Sequence, residues 1–320
     1  MIVKKISLAL LLTFSSQPLW ATPESDFSNA AAGDYQKISD YINGQFAKSM
    51  GFFTTLGWNS PAGVFDLLSG PHFELGLGVG ADLVNIPNLN SLSLSAINLN
   101  SNVSIPAVLP APFPVITGKV GLMNGLDLGL KFNYLPLVNL PDFGFAANYF
   151  GWGLDLRYKI LDGAYVPTVT IGVSWDQMKG SLSLATAINQ SGTYNDSGTP
   201  YSETFTGNNN YTLNWDTKSF GAQLQVGKDL GFLYPFGAIG FQRNSGSITS
   251  NMIGSGTLNI SGSLTSPAAV NLNVVSVAPP VYFEPKFVLG LDFGVGLHWA
   301  VVAESNGTDI AGSTSFRVQF

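Results

Sequence analysis

The 320-residue chain contains no cysteine. No disulfide can staple it in an oxidising compartment, and a lipid anchor of the bacterial lipoprotein type, which needs an N-terminal cysteine, is not expected. Histidine is nearly as scarce, with only His72 and His298, so no zinc-ligand pattern stands out. Charged residues make up 11% of the chain, against roughly 25% in average soluble domains. No stretch approaches the roughly 20 apolar residues of a helical membrane span. What is abundant is aromatic residues, at 12%, and glycine, at 36 residues. Mean hydropathy is positive. A chain that is apolar overall but has no helical span fits the other way of crossing a bilayer, a closed barrel. A soluble all-β protein is the competing reading.

Residues 1–21 have the plan of a secretory signal peptide: Lys4 and Lys5, then apolar Ile6 to Phe14, then Pro18 and a cut after Ala21, with Leu19 in place of the usual small residue. Without the two signal lysines the chain has 12 Lys+Arg against 20 Asp+Glu, a net charge of −8 that argues against a nucleic-acid partner.

Strict period-two patterning recurs beyond the signal. Phe73, Leu75, Leu77, Val79, Ala81 and Leu83 alternate with His72, Glu74, three glycines and Asp82. Leu126 to Tyr134, Phe150 to Ile160 and Val169 to Trp175 behave alike, as does the closing Phe316-Arg317-Val318-Gln319-Phe320. The second face carries Asp, Lys, Arg, Gly and Asn, as a polar lumen would, while Tyr134, Phe150, Trp175, Trp215 and Tyr282 sit where interface girdles are expected.

The expected fold is therefore all-β: a transmembrane antiparallel up-and-down β-barrel of about ten strands (10–12), with a short N-terminal helical segment. Strands are expected near 72–84, 113–122, 126–135, 150–160, 168–182, 211–228, 232–247, 281–291, 295–304 and 313–320. Ile239 and Phe241 break parity in the seventh. Short joins (Met123-Asn124-Gly125, Asp162-Gly163, Lys228 to Gly231, Asp292-Phe293-Gly294) alternate with long ones (85–112, 136–149, 183–210, 248–280, 305–312). Outer-membrane barrels alternate periplasmic turns and outer loops in this way. The 248–280 segment could add a hairpin and make twelve strands. Three segments follow: signal peptide 1–21, a periplasmic or plug segment 22–71, and the barrel 72–320.

Phe316-Arg317-Val318-Gln319-Phe320 resembles the C-terminal signal read by the barrel assembly machinery, with Phe316, Val318 and Phe320 as its outward residues. Phe73-Glu74-Leu75-Gly76-Leu77-Gly78-Val79-Gly80 and the last three strands resemble an uncharacterised family of outer-membrane barrels with no assigned activity. Asn59-Ser60-Pro61-Ala62-Gly63 is similar to the Asn-Pro-Ala-Gly that ends the N-terminal hatch of the long-chain fatty-acid transporter family, although Ser60 interrupts it and that family has more strands. No ligand-binding residue is carried over from it.

Within 34–50, Ile38, Ile42 and Phe46 recur every fourth residue with Tyr35 and Met50 beside them, while Asp34, Lys37, Asp40 and Lys48 are polar. This spacing reads as a short amphipathic helix, serving either as a lumen plug or as a helix at the barrel base. The lumen-facing candidates are Glu74, Asp82, Lys119, Asp127, Lys131, Asp155, Arg157, Lys159, Glu284, Lys286, His298 and Arg317, with Asp176 and Asp292 on the same face. Mixed charges can line a pore or pair and close it, and ten strands lie near the closed end of the range. No catalytic trio, metal cluster or cofactor motif is legible. The expectation is an outer-membrane barrel, in contact with lipid, that passes a small or hydrophobic solute. The alternative is a closed barrel acting structurally or through its loops as an adhesive or interaction protein.

Overall fold

The computed structural model describes residues 23–58, 73–85, 92–96, 108–122, 125–141, 144–163, 165–196, 199–261 and 267–320. The signal peptide, His72 and the Asn59–Gly63 motif lie outside them. One helix, α1 (Pro23–Thr55), precedes eleven strands: β1 (Phe73–Asn85), β2 (Val108–Leu122), β3 (Leu126–Leu140), β4 (Phe145–Leu161), β5 (Thr168–Asp196), β6 (Thr199–Gly227), β7 (Leu233–Ile260), β8 (Ala268–Ala278), β9 (Phe283–Val295), β10 (Leu297–Ser305) and β11 (Ile310–Gln319). Every pairing is antiparallel, and the sheet closes through β1 and β11, from Glu74↔Gln319 to Asp82↔Ala311. Closure leaves no open edge at the seam: Phe73 and Phe320 exchange backbone hydrogen bonds there.

The ring has ten positions, because β8 and β9 share one. β9 pairs with the lower half of β7 (Leu233↔Phe293 to Arg243↔Phe283), and β8 with its upper half (Ile248↔Ala278 to Leu258↔Ala268). Pro279-Pro280 separates the two. Proline cannot donate to a ladder, so the descending strand is interrupted there rather than continuous. The 248–280 segment therefore heightens two strands and adds none to the ring. Likewise 183–210 is not a loop but the upper halves of β5 and β6, paired up to Asp196↔Thr199. The expected turn at Asp292-Phe293-Gly294 is displaced: β9 runs to Val295, and Gly296, with a left-handed φ of 75°, makes the turn.

β5 and β6 have 29 residues each and β10 only 9. A tilted spanning strand needs about 9–11. The barrel is therefore low on one side and rises on the other into a wall of β5–β8. Face polarity inverts with height. In the lower barrel Leu75, Leu77, Phe132, Leu154, Ile171, Leu289 and Phe316 point outward and the charges inward, the face code of a membrane barrel. Ile239 and Phe241 also point outward and keep parity. In the wall, Tyr211, Leu213, Ile248, Met252, Leu258, Val270 and Leu272 point inward and are buried, while Asn208, Asn210, Ser247, Thr257, Asn271 and Asn273 are exposed. Trp215 belongs to this inner face, buried over Gly180, and not to an interface girdle.

α1 fills the interior. Its 33 residues far exceed the expected short helix. Pro23 starts it, Glu24 and Asp26 suit the positive end of its dipole, and Ala30-Ala31-Ala32 favour helix within it. Phe27, Tyr35, Ile38, Phe46, Met50 and Phe53 join the wall in one hydrophobic cluster. Asp34, expected on the polar face, is fully buried and instead accepts bonds from the Ser95 and Ala96 backbone, tying residues 92–96 over the helix. Ser39 meets Ser250 at 2.9 Å, and Asn43 donates to the Ile248 carbonyl and the Ser276 hydroxyl. The helix thus descends from the top of the wall into the barrel, and residues 49–58 are wholly buried.

Candidate functional site

A helix C-terminus presents carbonyls with no partner inside the helix and the negative end of a dipole. The last turn of α1 contains no basic residue. The barrel supplies the missing charge. Lys131 Nζ of β3 donates to the Leu56 carbonyl at 2.8 Å and the Thr54 carbonyl at 3.3 Å, and Lys286 Nζ of β9 to the Thr55 carbonyl at 3.2 Å. Each lysine is also ion-paired: Lys131 with Asp176 and Lys286 with Glu304, both at 2.8 Å. Gly57, at φ 95°, turns the chain out of the helix, and Trp58 then donates its indole N–H to Asp176 at 3.0 Å. The Lys131 ammonium lies 5.1 Å from the centre of the Trp58 ring.

Neutral groups complete this lock. Thr54 meets Thr217 at 2.6 Å, and Thr55 donates to Gln242 at 2.7 Å. Gln242, Asn244 and Asn306 all donate to the Glu284 carboxylate, at 2.9, 2.6 and 3.0 Å. Gly51 permits the close approach, since a Cβ there would stand 2.1 Å from Asn244 Nδ2. Asp82 is buried on the same level, facing Glu284, Glu304 and Asp309. The space left beside Thr55, Trp58 and Lys286 is about 10 Å³, room for roughly one water. Among the described residues, the end of α1 and these side chains occupy the lumen at this height.

Below the lock a second network spans the lumen. Arg317 bridges Glu74 and Asp292, and Asp292 meets His298 Nδ1 at 3.0 Å. Arg157 pairs with Asp155 and donates to Gln225. Asp127 is buried opposite Arg157 in the β3–β4 register. The Lys119 ammonium is buried among Glu74, Asp127, Asp155 and Arg157. Lys159 reaches the turn residue Asp162 at 2.7 Å. Burial opposes ionisation of Asp162, but hydrogen bonds from Lys159 and Thr168 outweigh it and hold this carboxyl below its ordinary range. Most of the candidate charges are buried, and most are paired within these two layers. The ring partner recorded for His298 is a carboxylate, with no hydroxyl nucleophile bonded to it among the described residues. Those residues also hold no cluster of three or more metal-binding side chains.

The family model for DUF6588, a family of unknown function, matches residues 105–301. The chain belongs to this family. No curated protein matches it. Among solved structures this DUF6588 member is similar to the translocator domain of the autotransporter NalP from Neisseria meningitidis, with 11% identity, covering 92% of this chain and 99% of that one, at a TM-score of 0.37. A Pseudomonas aeruginosa FadL homologue (10% identity, 87% and 97% covered, TM-score 0.28) and the Ralstonia pickettii toluene transporter TbuX (11%, 79% and 90%, 0.26) are also similar.

In this DUF6588 member the outward residues of β11 are exposed, with Phe316, Trp299 and Phe293 stacked in a row toward the end bearing the barrel's termini. Sequence reading missed Trp58, Gln242, Asn244 and Glu304 as parts of the lock. Parity would have placed Glu304 with Val302 and His298, and Asn244 with Gln242. What parity cannot supply is that a helix end stands between them.

Proposed function

We propose that the chain is an integral barrel of the bacterial outer membrane that passes a small apolar solute without forming an ion-conducting pore. One observation carries this reading. The lumen is occupied by α1 and a charged lock, and above the lock α1 packs on the wall through aromatic and aliphatic side chains such as Phe27, Phe46, Phe53, Phe113 and Val274. A hydrated ion would have to break paired charges that are costly to separate once buried. An apolar solute that displaced part of this packing would meet a compatible surface. The apolar outer band would contact lipid, and Phe316, Val318 and Phe320 would engage the assembly machinery.

A second reading rests on the wall. Its exposed face carries many Ser, Thr and Asn residues, including Thr206, Asn208, Thr257 and Asn271, beside the apolar Ile253, Val275 and Val277, a mixed surface suited to contact with an external partner. The two readings separate in intact cells. Cells making the chain should take up N-phenyl-1-naphthylamine, a dye that fluoresces in apolar surroundings, several-fold faster than cells lacking it. Equal rates would sink the transport reading and leave the wall.

A further inference from the structure

Among the described residues, β2 and β3 part well below their tops, while the neighbouring pairs β1–β2 and β3–β4 stay joined. β1 and β2 pair over the full height from Phe73↔Val120 to Asn85↔Val108. β3 and β4 pair up to Leu140↔Phe145. Between them, β2 and β3 pair only from Leu122↔Leu126 to Val115↔Asn133. Above that point residues 108–114 and 134–140 continue as strands without bonding to each other.

The sequence explains the split. Successive residues of a strand direct their N–H groups to opposite edges. Pro110, Pro112 and Pro114 are two apart, so all three remove a donor from one edge. The ladder to β1 continues opposite them, so the depleted edge is the one facing β3. β3 answers with Pro136, inside a register shift between Leu135 and Val138. The Pro112 carbonyl takes its hydrogen bond from Tyr149 Oη of β4, at 2.7 Å.

Behind the split stand side chains rather than backbone. Phe53 of α1 lies edge-on to Phe113 and to Tyr149, with ring centres 6.2 and 5.6 Å apart. Outside it, Val79, Tyr134 and Leu137 are more than half exposed, as lipid-facing residues are. At about 3.3 Å per residue and a tilt of about 40°, the split opens roughly 18 Å above the β2–β3 turn, within a lipid-facing band of about 25 Å. At its base Asn133 is fully buried, and neither atom of its amide has a hydrogen-bond partner among the described residues. Such groups are rare without a reason. An outer-surface hollow of about 740 Å³ near Ile171, Leu224 and Phe241 offers no rival path, because the strands beneath it are fully paired.

We propose that the β2–β3 split is a lateral portal, through which an apolar molecule carrying one small polar group passes between the aromatic interior and the membrane, its polar group meeting Asn133. The portal rests on the transport reading and gives it a route. Two variants test it with N-phenyl-1-naphthylamine, which has one N–H, in intact cells. Pro114→Cys with Tyr134→Cys would place a disulfide across the split in a chain that has no other cysteine. Pro110→Thr, Pro112→Thr and Pro114→Thr together would restore the missing donors. Folding is checked by heat-dependent gel mobility.

The oxidised lock should lower uptake to the rate of cells lacking the chain, and reduction should restore it. The folded triple variant should be slowed several-fold. A closed lock that passes dye at the wild-type rate overturns the portal while transport stands. If the disulfide does not form, wild-type uptake by the folded triple variant overturns it. If wild-type cells are no faster than cells lacking the chain, the transport reading falls and the portal with it.

Discussion

Replacing Lys131 by methionine should undock the end of α1 while leaving the barrel intact. The side chain is 1% exposed and serves the Thr54 and Leu56 carbonyls together with the Asp176 carboxylate. Methionine keeps most of the volume and removes the charge. Asp176, itself fully buried, is then left without its cation, and two carbonyls at the negative end of the helix lose their donor. Removing one partner of a buried pair costs about 3–5 kcal/mol. At about 1.4 kcal/mol per tenfold, docking of the helix end weakens by roughly 10²- to 4 × 10³-fold. Hydrogen exchange in peptides from 44–56 should accelerate by that factor, while peptides from β3 and β4 stay protected. Lys131→Met with Asp176→Leu should recover most of the loss, since replacing both partners removes the stranded charge. About 1–2 kcal/mol should persist, because the Trp58 N–H also loses Asp176 and the Thr54 and Leu56 carbonyls still lack their donor. Exchange within threefold of wild type in the single variant, or a double variant looser than the single, would refute the lock.

Three further outcomes follow from the same geometry. Gly51→Ala should loosen α1 by about 1–3 kcal/mol, read as a lower melting temperature and faster exchange in 44–56, because its methyl would stand 2.1 Å from Asn244 Nδ2 and 2.7 Å from Glu284 Oε2. Ser39→Cys with Ser250→Cys should form a disulfide on mild oxidation, since the two hydroxyl oxygens lie 2.9 Å apart; unreacted thiols would contradict the placement of α1 beside β7. Asp162→Asn should cost at most about 1 kcal/mol, because the carboxyl is partly exposed. With its folded pKa depressed, Asp162 stabilises fully above its ordinary value near 3.8 and loses that contribution as pH falls through the folded value. Urea unfolding of wild type and variant should therefore differ at neutral pH and converge in acid.

The lower barrel was legible because one signal repeats there. Leu75, Leu128, Leu154 and Ile171 alternate with glycine or charge, and apolar residues on the outside of a barrel leave a clear parity. The wall was not legible, because its code is inverted. Asn208, Asn210, Thr257 and Asn259 look like loop residues until their alternation with Phe205, Tyr211, Leu258 and Ile260 is read as inside against outside. The first third of the helix was not legible because Pro23 to Gly33 is Ala-, Ser- and Asn-rich and shows little apolar periodicity, although its Phe27 and Ala31 are buried. The lumen charges could be named from parity, but their partners could not. Lys131 and Lys286 lie far apart in sequence and converge only because a helix end needs positive charge at that height. The prolines of β2 were visible from the start, but which edge they disarm depends on the register with β1.

The most direct test of apolar transport without an aqueous pore compares two solutes in the same intact cells. N-phenyl-1-naphthylamine reports the apolar route, and nitrocefin hydrolysis by a periplasmic β-lactamase reports an aqueous one. Making the chain should speed the dye several-fold and leave nitrocefin unchanged. Faster nitrocefin hydrolysis would mean an open axial pore, and no change in either would mean a barrel that passes nothing.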